Sequence, residues 1–554
     1  MPFLADIFSQ LKAAADTRVL QEIRDGQVPG VTGSELLELI RKARTFLAAK
    51  GLKKGDRCAL LAANSIRWMA IDLAAMAEGL MVVPLYPRQS PAELIAILKD
   101  STPSLVCCGD AALRDGIQQN WPAGNGPEAR PHFLFDDILA GVEGTAPDRP
   151  QVRDADPVTI IYTSGTSGEA KGVVLTAANV GFMLGCTAAR LDLLMAGRLG
   201  QDRIFHYLPF SFCASWIAML TFLLRGSLVT LNTDLTKIPS DMPATAPYYF
   251  LNVPQLLERM KRGVDEQIAL KGGIAQAIYS RAKAAWIRKK EKRSGAGDAI
   301  WLWLANAVVF PAIRKKMVGE NLRALICGSA PLIPETQDYF SMLGIPVLQV
   351  YGLTETTGIC TMDDPNHVTP GRVGPAIPGI EMKIGDHDEI IVRGPNVFPG
   401  YWNRPQQTAE VLRDQWFHTG DQGEMDASGN WRIVGRIKNL IVLGSGHKIA
   451  PETVEEEIAR SLPSAHQVVV VGNSRGYLSA IVTGNVTGEQ AQAALDSINP
   501  QLPHYKQVRA FCLRPEPFSI ENGMLTANGK LKRDLISARM KSEIEEMYQV
   551  KQAV

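Results

Sequence analysis

The sequence predicts an α/β fold, with a large N-terminal part of βαβ-type subdomains and a small C-terminal α+β part. Three observations predict it. From residue 36 to residue 108, helical stretches alternate with short apolar strands, the pattern of a largely parallel sheet. At 159–176 a loop rich in glycine and hydroxyl groups, TIIYTSGTSGEAKGVVLT, has β-branched, apolar flanks. Beyond a polar stretch at 435–440, a compact helix–strand–strand–helix pattern begins anew. At 554 residues the chain is too long for one core, given roughly 100–200 residues per domain. We expect an N-terminal domain over 1–435 and a C-terminal domain over 436–554.

Each element has its own signal. Residues 36–49 (LLELIRKARTFLAA) carry apolar groups at helical spacing, and 51–55 form a turn. A strand is expected at 57–61 (RCALL), a helix at 68–79, a strand at 80–85 (LMVVPL), a helix at 91–99 and a strand at 104–108 (SLVCC). The polar, Gly/Pro-rich stretch 120–157 reads as a connection. Strands at 158–163 and 173–175 flank the loop, and Thr176 caps the helix that follows. Further strands fall at 206–209, 228–231, 322–327, 389–392 and 431–433, and 259–316 is helical and basic. The last unit has helices at 452–461 and 487–496 and strands at 468–471 and 479–482.

Composition excludes some functions. A net charge of +1 gives no global field for nucleic acid, so no nucleic-acid partner is expected. The eight cysteines are scattered without a CxxC pair, which reads as buried free thiols in a reducing compartment. The start, MPFLADIFSQLKAAADTRVL, lacks the basic n-region and cleavage site of a signal peptide. The longest apolar run, 299–313, contains Asn306 and Pro311 and falls short of the ~20 residues a spanning helix needs. A cytoplasmic protein is expected.

Residues 163–172 hold four hydroxyl side chains, three glycines and one lysine. Glycines let backbone N–H groups turn into one concavity, hydroxyls add neutral donors, and Lys171 adds a cation. That chemistry suits a polyphosphate. It is not a Walker A loop, because Ala170 precedes the lysine and Gly172 follows it.

YTSGTSGEAKGVVLT resembles the phosphate loop of the adenylate-forming (AMP-binding) superfamily, which includes acyl-CoA synthetases, luciferases and nonribosomal adenylation domains. Further motifs follow in that family's order. The resemblance makes Thr163, Ser164, Gly165, Thr166, Ser167, Gly168 and Lys171 the phosphate cradle. In CGSAPL it implies that Gly328, Ser329 and Ala330 wall an adenine. In QVYGLTETTG, Tyr351 and Gly352 would lie at the adenine, Thr354 would donate to the α-phosphate, and Glu355 would be the hard oxygen ligand of Mg²⁺. In WFHTGDQG, Asp421 can accept both hydroxyls of a ribose through its two oxygens, and Arg436 resembles the residue that also holds the ribose. His418 reads as a packed or capping residue. Lys438 stands at the family's hinge, and Ser445, Gly446, His447 and Lys448 resemble the loop that serves the second half-reaction. Lys530, in TANGKLKRDLI, matches the catalytic lysine of a mobile C-terminal domain.

The resemblance implies a two-step ligase with ATP, Mg²⁺ and CoA. A carboxylate attacks the α-phosphorus of ATP to give acyl-AMP and pyrophosphate, and a thiol then displaces AMP. Lys530, Lys171 and Mg²⁺ on Glu355 would offset the charge that develops. Three stretches resemble the long-chain fatty acyl-CoA synthetase branch: MVVPLYPRQSPAEL, NVPQLLERM with the helical segment after it, and ENGMLTANGKLKRDLI. A fatty carboxylic acid substrate follows from that likeness alone.

Two departures touch the acyl path. Phe212 stands where the branch often has histidine, and Val350 where a glycine often precedes the YG pair. They suggest a narrowed or shortened pocket for a medium-length, branched or unusual acyl chain. Other acceptors stay open: a carrier-protein phosphopantetheine, or an internal hydroxyl closing a β-lactone. A non-catalytic nucleotide or acyl-adenylate sensor is a further alternative, but it would not need Lys530. Residues 281–316 set basic residues around a Trp- and Leu-containing run. They read equally as a peripheral contact with the inner face of a membrane or as a solvated helical face.

Overall fold

The computed structural model describes residues 1–24, 26–121, 131–141, 148–164, 170–198, 200–526 and 529–549. It divides into two compact units. The first comprises Met1–Thr163, Ala170–Glu381 and Arg393–Glu410, and the second is built mainly from Met382–Val392 and the chain from Val411 onward.

The first unit has two mixed sheets. Among the described residues one has seven strands, ordered Gly400–Tyr401, Ala170–Thr176, Pro157–Ser164, Met81–Leu85, Arg57–Leu61, Leu105–Cys108 and His132–Leu134. The strands from Met81–Leu85 to His132–Leu134 pair in parallel, as the alternating helices require. Helix Gly33–Ala49 starts at Thr32, whose hydroxyl accepts from Glu35 N while the Glu35 carboxylate accepts from Thr32 N. Helix Ile66–Ala77 has eleven buried residues and therefore no polar face to mark it in the sequence.

The second sheet has eight strands, from Thr361–Met362 through Val347–Tyr351, Ala324–Cys327, Tyr249–Asn252, Arg203–His206, Leu228–Asn232 and Arg18–Ile23 to Gly30–Thr32. Its interior pairs are parallel and both edge pairs antiparallel. A helical segment covers it: Pro254–Lys271, Gly273–Lys290, Asp298–Leu304, a π-helical turn Ala305–Val309, and Phe310–Val318. The π turn and Pro311 break the long apolar run into short pieces. No helix among the described residues is long and apolar enough to cross a membrane.

The second unit contains an antiparallel sheet of Glu381–Ile384, Glu389–Arg393, Trp416–Met425, Leu412–Arg413 and Trp431–Arg436. It also contains a three-stranded sheet, Ala465–Val471, Leu478–Gly484 and Val508–Arg514. Helices Pro451–Ser461 and Gly488–Ile498 bury Val454, Ile458 and Leu495 on one face of that sheet. Helices Arg533–Arg539 and Lys541–Gln549 bury Ile536 and Met547 on the other.

The expected α/β architecture with a smaller C-terminal part is present. Three local expectations need correction. The stretch read as a connection contains a strand, His132–Leu134, and a helix, Phe135–Leu139, because three residues of strand give too little alternation to read. The strand expected at 206–209 is Arg203–His206, and Tyr207 and Leu208 are buried beyond its end. The strand Val508–Arg514 was not expected, since its polar ends dilute a short apolar centre. All eight cysteines are free thiols, and the Cys58 and Cys107 sulfurs lie 3.7 Å apart on neighbouring strands.

Candidate active site

In the first unit the loop strand Ala170–Thr176 carries Lys171, half-buried, at its start. Thr163 is half-buried near the end of the preceding strand. Gly165, Thr166, Ser167 and Gly168 lie outside the described residues, and of Ser164 only the backbone is described. Thr176 caps the following helix as expected, accepting from Asn179 N at 3.2 Å. Gly172 has a packing reason. A Cβ there would meet Ile160 Cγ2 at 2.7 Å and Trp402 Cβ at 3.2 Å. Its carbonyl also accepts from Trp402 N at 2.7 Å, which brings the segment Gly400–Tyr401 onto this strand.

The strand Ala324–Cys327 ends at buried Gly328, and Ser329 and Ala330 are exposed. Ser329 has φ +73°, a left-handed conformation that turns the chain sharply. A Cβ on Gly328 would lie 2.6 Å from Val350 Cγ2. The neighbouring strand Val347–Tyr351 ends at half-buried Tyr351. Gly352 passes so close to Gly358 and Ile359 that a Cβ would lie 2.4 Å from Ile359 Cα. The chain then closes a 3-10 turn, Thr354–Thr356, in which Leu353 N donates to Thr356 Oγ1 and Thr357 N to the Thr354 carbonyl.

That turn is clamped by the segment after Asn396. Thr357 Oγ1 donates to the Asn396 carbonyl at 2.7 Å, and Phe398 N donates to the Glu355 carbonyl at 2.9 Å. The Tyr401 hydroxyl donates to Glu355 Oε1 at 2.9 Å. Lys171 Nζ lies 5.1 Å from the centroid of the same ring. Glu355 and Lys171 thus share a neighbour that sequence reading missed. The signal available was the cluster FPGYWNRP between two strands. Phe212, half-buried at the start of helix Cys213–Leu224, packs its ring 5.7 Å from that of Tyr86. Burial, with the Glu355 charge adding, pushes the Cys213 thiol well above its ordinary range.

The Glu355 carboxylate offers one hard oxygen ligand with its second oxygen held by a phenol. Among the described residues no cluster of three His, Cys, Asp or Glu could hold a metal by itself. A lone carboxylate fits Mg²⁺ that arrives with phosphate oxygens and water as its remaining ligands.

In the second unit Asp421 and Arg436 are cross-strand partners, with Arg436 Nε 2.8 Å from Asp421 Oδ1. Asp421 is buried and Arg436 partly exposed. Asp421 N donates to Thr419 Oγ1, which itself donates to the Ile390 carbonyl. His418 is held by Glu389, Nδ1 to Oε2 at 2.7 Å, and Gly420 N donates to the other oxygen of that carboxylate. Lys438 is exposed in the turn Ile437–Asn439.

Ser445, Gly446, His447 and Lys448 form an exposed hairpin between Ile441–Val442 and Lys448–Ile449. The Ser445 hydroxyl is 2.9 Å from His447 Nδ1, and the imidazole stacks on Tyr505 at 4.4 Å. Lys530 is exposed in a turn closed by Thr526 N donating to the Lys530 carbonyl and Lys530 N donating to Thr526 Oγ1. Three residues on, Arg533 makes two bonds to Glu455, at 2.7 and 2.6 Å.

The family model described as AMP-binding enzyme matches residues 9–402, and that of the AMP-binding enzyme C-terminal domain matches 438–552. The long-chain-fatty-acid–CoA ligase FadD15 of Mycobacterium bovis is 29% identical, over 98% of this chain and 96% of the relative. Long chain acyl-CoA synthetase 3 of Arabidopsis thaliana is 27% identical, over 95% of this chain and 89% of the relative. Among solved structures, o-succinylbenzoate CoA synthetase of Bacillus subtilis with its acyl-adenylate superposes with TM-score 0.75 at 21% identity, covering 96% of this chain and 97% of that one. The adenylation domain of a carboxylic acid reductase of Segniliparus rugosus, with AMP, gives TM-score 0.76 at 21% identity, covering 99% and 94%. These likenesses establish the adenylate-forming fold.

Proposed function

The chain belongs to the AMP-binding enzyme family, and from that premise we propose that it activates a fatty acid with ATP and transfers the acyl group to CoA. In the first step a carboxylate oxygen bonds to the α-phosphorus and the bond to pyrophosphate breaks. In the second, the CoA sulfur bonds to the acyl carbon, the bond to AMP breaks, and the thiol gives up its proton. The observation that carries this reading is the grouping of Lys171 and Glu355 about Tyr401, which sets a cation and a carboxylate on one phenol ring.

Each unit has its own part. Thr163, Ser164, Gly165, Thr166, Ser167, Gly168 and Lys171 cradle phosphates, Thr163 and Lys171 from the first unit. Gly328, Ser329, Ala330, Tyr351 and Gly352 take the adenine, and Thr354 donates to the α-phosphate. Mg²⁺ on Glu355 supplies positive charge beside the phosphates. In the second, Asp421 accepts the ribose hydroxyls, Arg436 also holds the ribose, and Lys530 offsets charge on the α-phosphate. Lys438 is the hinge, and the Ser445–Lys448 hairpin serves thioester formation. The C-terminal domain begins near that hinge, at about 436.

The names of the relatives support a fatty acid and CoA. One solved neighbour is an o-succinylbenzoate CoA synthetase, so the acyl chain rests on this chain's own residues. Val350 packed on Gly328 and Phe212 on Tyr86 favour a medium-length, branched or otherwise unusual chain. The test is AMP and acyl-CoA formation with acids of graded length, with and without CoA. Turnover only with CoA supports the ligase. Adenylation that CoA does not relieve points to a carrier-protein thiol or an internal hydroxyl, and nucleotide binding without turnover to a sensor. A peak at the longest saturated acids contradicts the narrowed pocket.

The free thiols fit a reducing, cytoplasmic setting. A membrane contact is favoured by one observation. Six of the eleven exposed large hydrophobic residues among those described are Leu270, Ile274, Ile287, Ile300, Trp303 and Val308, all in the helical segment. Exposed Lys271, Arg281, Lys289 and Lys290 accompany them. Apolar groups with cations suit an anionic lipid surface. Co-sedimentation with anionic vesicles at low salt supports it, and its absence there retires it.

A further inference from the structure

We propose that Tyr401 is a positioning residue that sets the Glu355 carboxylate for the metal–nucleotide complex and holds Lys171 ready for the phosphates. The inference rests on the adenylating function proposed above and deepens it at the same site.

The placement follows from strand pairing. Gly400–Tyr401 pairs antiparallel with the strand Ala170–Thr176, with Tyr401 opposite Val173 and Gly400 opposite Val174. Opposed residues share a sheet face, and so do residues two apart on one strand. Tyr401 is therefore the diagonal neighbour of Lys171, which explains why the ammonium lies 5.1 Å from its ring centroid. That is within the range of a cation–π attraction. Three further contacts fix the tyrosine. Its N–H donates to Thr408 Oγ1 at 2.9 Å, its ring meets that of Phe398 edge-on at 4.9 Å, and the next residue's N–H holds the Gly172 carbonyl.

The hydroxyl then has a determined target. It donates to Glu355 Oε1 at 2.9 Å, a charge-assisted bond, while Phe398 N holds the Glu355 backbone carbonyl. Both ends of the glutamate are thus tied to residues 398–401. The bond selects one rotamer of a side chain that would otherwise lose conformational freedom on meeting a metal. It also commits one oxygen and leaves Oε2 as the ligand atom. The ring thus keeps the ammonium on the same residue whose hydroxyl holds the carboxylate. Arrival of a triphosphate gives Lys171 a stronger partner than a ring face, so the ammonium transfers to phosphate while the tyrosine keeps the carboxylate in place.

The test uses the full chain and a readout other than turnover. Mn²⁺ binding to the protein–ATP complex is followed by electron paramagnetic resonance, alongside ATP binding in EDTA by calorimetry. Tyr401→Phe keeps the ring and removes the hydroxyl. It should weaken Mn²⁺ binding about tenfold, as loss of a hydrogen bond to a charged group does, with metal-free ATP binding unchanged. Tyr401→Leu should weaken both. Glu355→Gln should weaken Mn²⁺ binding, and adding Tyr401→Phe to it should have little further effect. Should the phenylalanine variant not fold, Tyr401→Leu carries the test, and unchanged Mn²⁺ and ATP binding in it overturns the proposal. Wild-type Mn²⁺ affinity in folded Tyr401→Phe, or full additivity with Glu355→Gln, overturns the proposal. Failure of the unaltered chain to bind ATP and metal overturns the adenylating function as well, so the two failures are distinguishable.

Discussion

Val350 occupies the space that a side chain on Gly328 would need: a Cβ at Gly328 would lie 2.6 Å from Val350 Cγ2 and 3.1 Å from the Val350 carbonyl. The two strand ends meet through a glycine on one side and a β-branched residue on the other. Gly328→Ala should therefore impair nucleotide-dependent activity, and Val350→Ala in the same chain should restore part of it. Val350→Gly should move the preferred acid toward longer chains and cost about 2 kcal/mol of stability from lost burial and added backbone freedom. Rates across a chain-length series and urea unfolding check both. An unchanged optimum in Val350→Gly would remove Val350 from the acyl pocket.

Asp421 pairs with Arg436 across two strands, and its carboxylate is buried while the guanidinium is partly open to solvent. The pair is thus set before any ligand arrives. Asp421→Asn should weaken ATP binding by about 10- to 100-fold, the worth of one or two hydrogen bonds to a charged group. It should also erase most of the preference for ATP over 2′,3′-dideoxy-ATP, measured by calorimetry. A variant that keeps this preference would show that the ribose is held elsewhere.

Two buried carboxyls predict the pH dependence of stability. Burial pushes Asp72 up to about 7, although Trp216 Nε1 donates to its Oδ2 at 2.9 Å. Burial also pushes Asp363 up to about 7, although Gln349 N donates to its Oδ2 at 2.8 Å. In each, Oδ1 has no hydrogen-bond partner among the described residues. Unfolded, such a carboxyl ionises near 3.8. Between these values the folded state holds the extra proton. Stability from these groups is therefore complete below about pH 4, falls as pH rises to about 7, and is level above. The loss is at most roughly 4 kcal/mol per group. Asp72→Asn should flatten its share of the slope in urea unfolding between pH 4.5 and 7.5, and an unaltered slope would contradict it.

Much of this was legible in the sequence because the informative features are local. The strands Pro157–Ser164 and Ala170–Thr176, the strand before Gly328 and the cap at Thr176 are each specified within a few residues. Contacts between distant segments were not legible. Tyr401 reaches Glu355 across 46 positions and Arg533 reaches Glu455 across 78, and no spacing rule carries such pairings. The close approach of Gly328 to Val350 likewise depends on strand order, which periodicity does not encode. Helix Ile66–Ala77 was found from its apolar content, but its burial on nearly every side gave no face to orient it.

In the adenylation step a carboxylate oxygen of the substrate should attack the α-phosphorus of ATP. The most direct measurement supplies the acid labelled with ¹⁸O in both carboxyl oxygens, together with ATP, Mg²⁺ and CoA, and examines the nucleotide product by mass spectrometry. AMP should carry one ¹⁸O and pyrophosphate none. Label in inorganic phosphate with ADP as the nucleotide, or AMP without label, would contradict it.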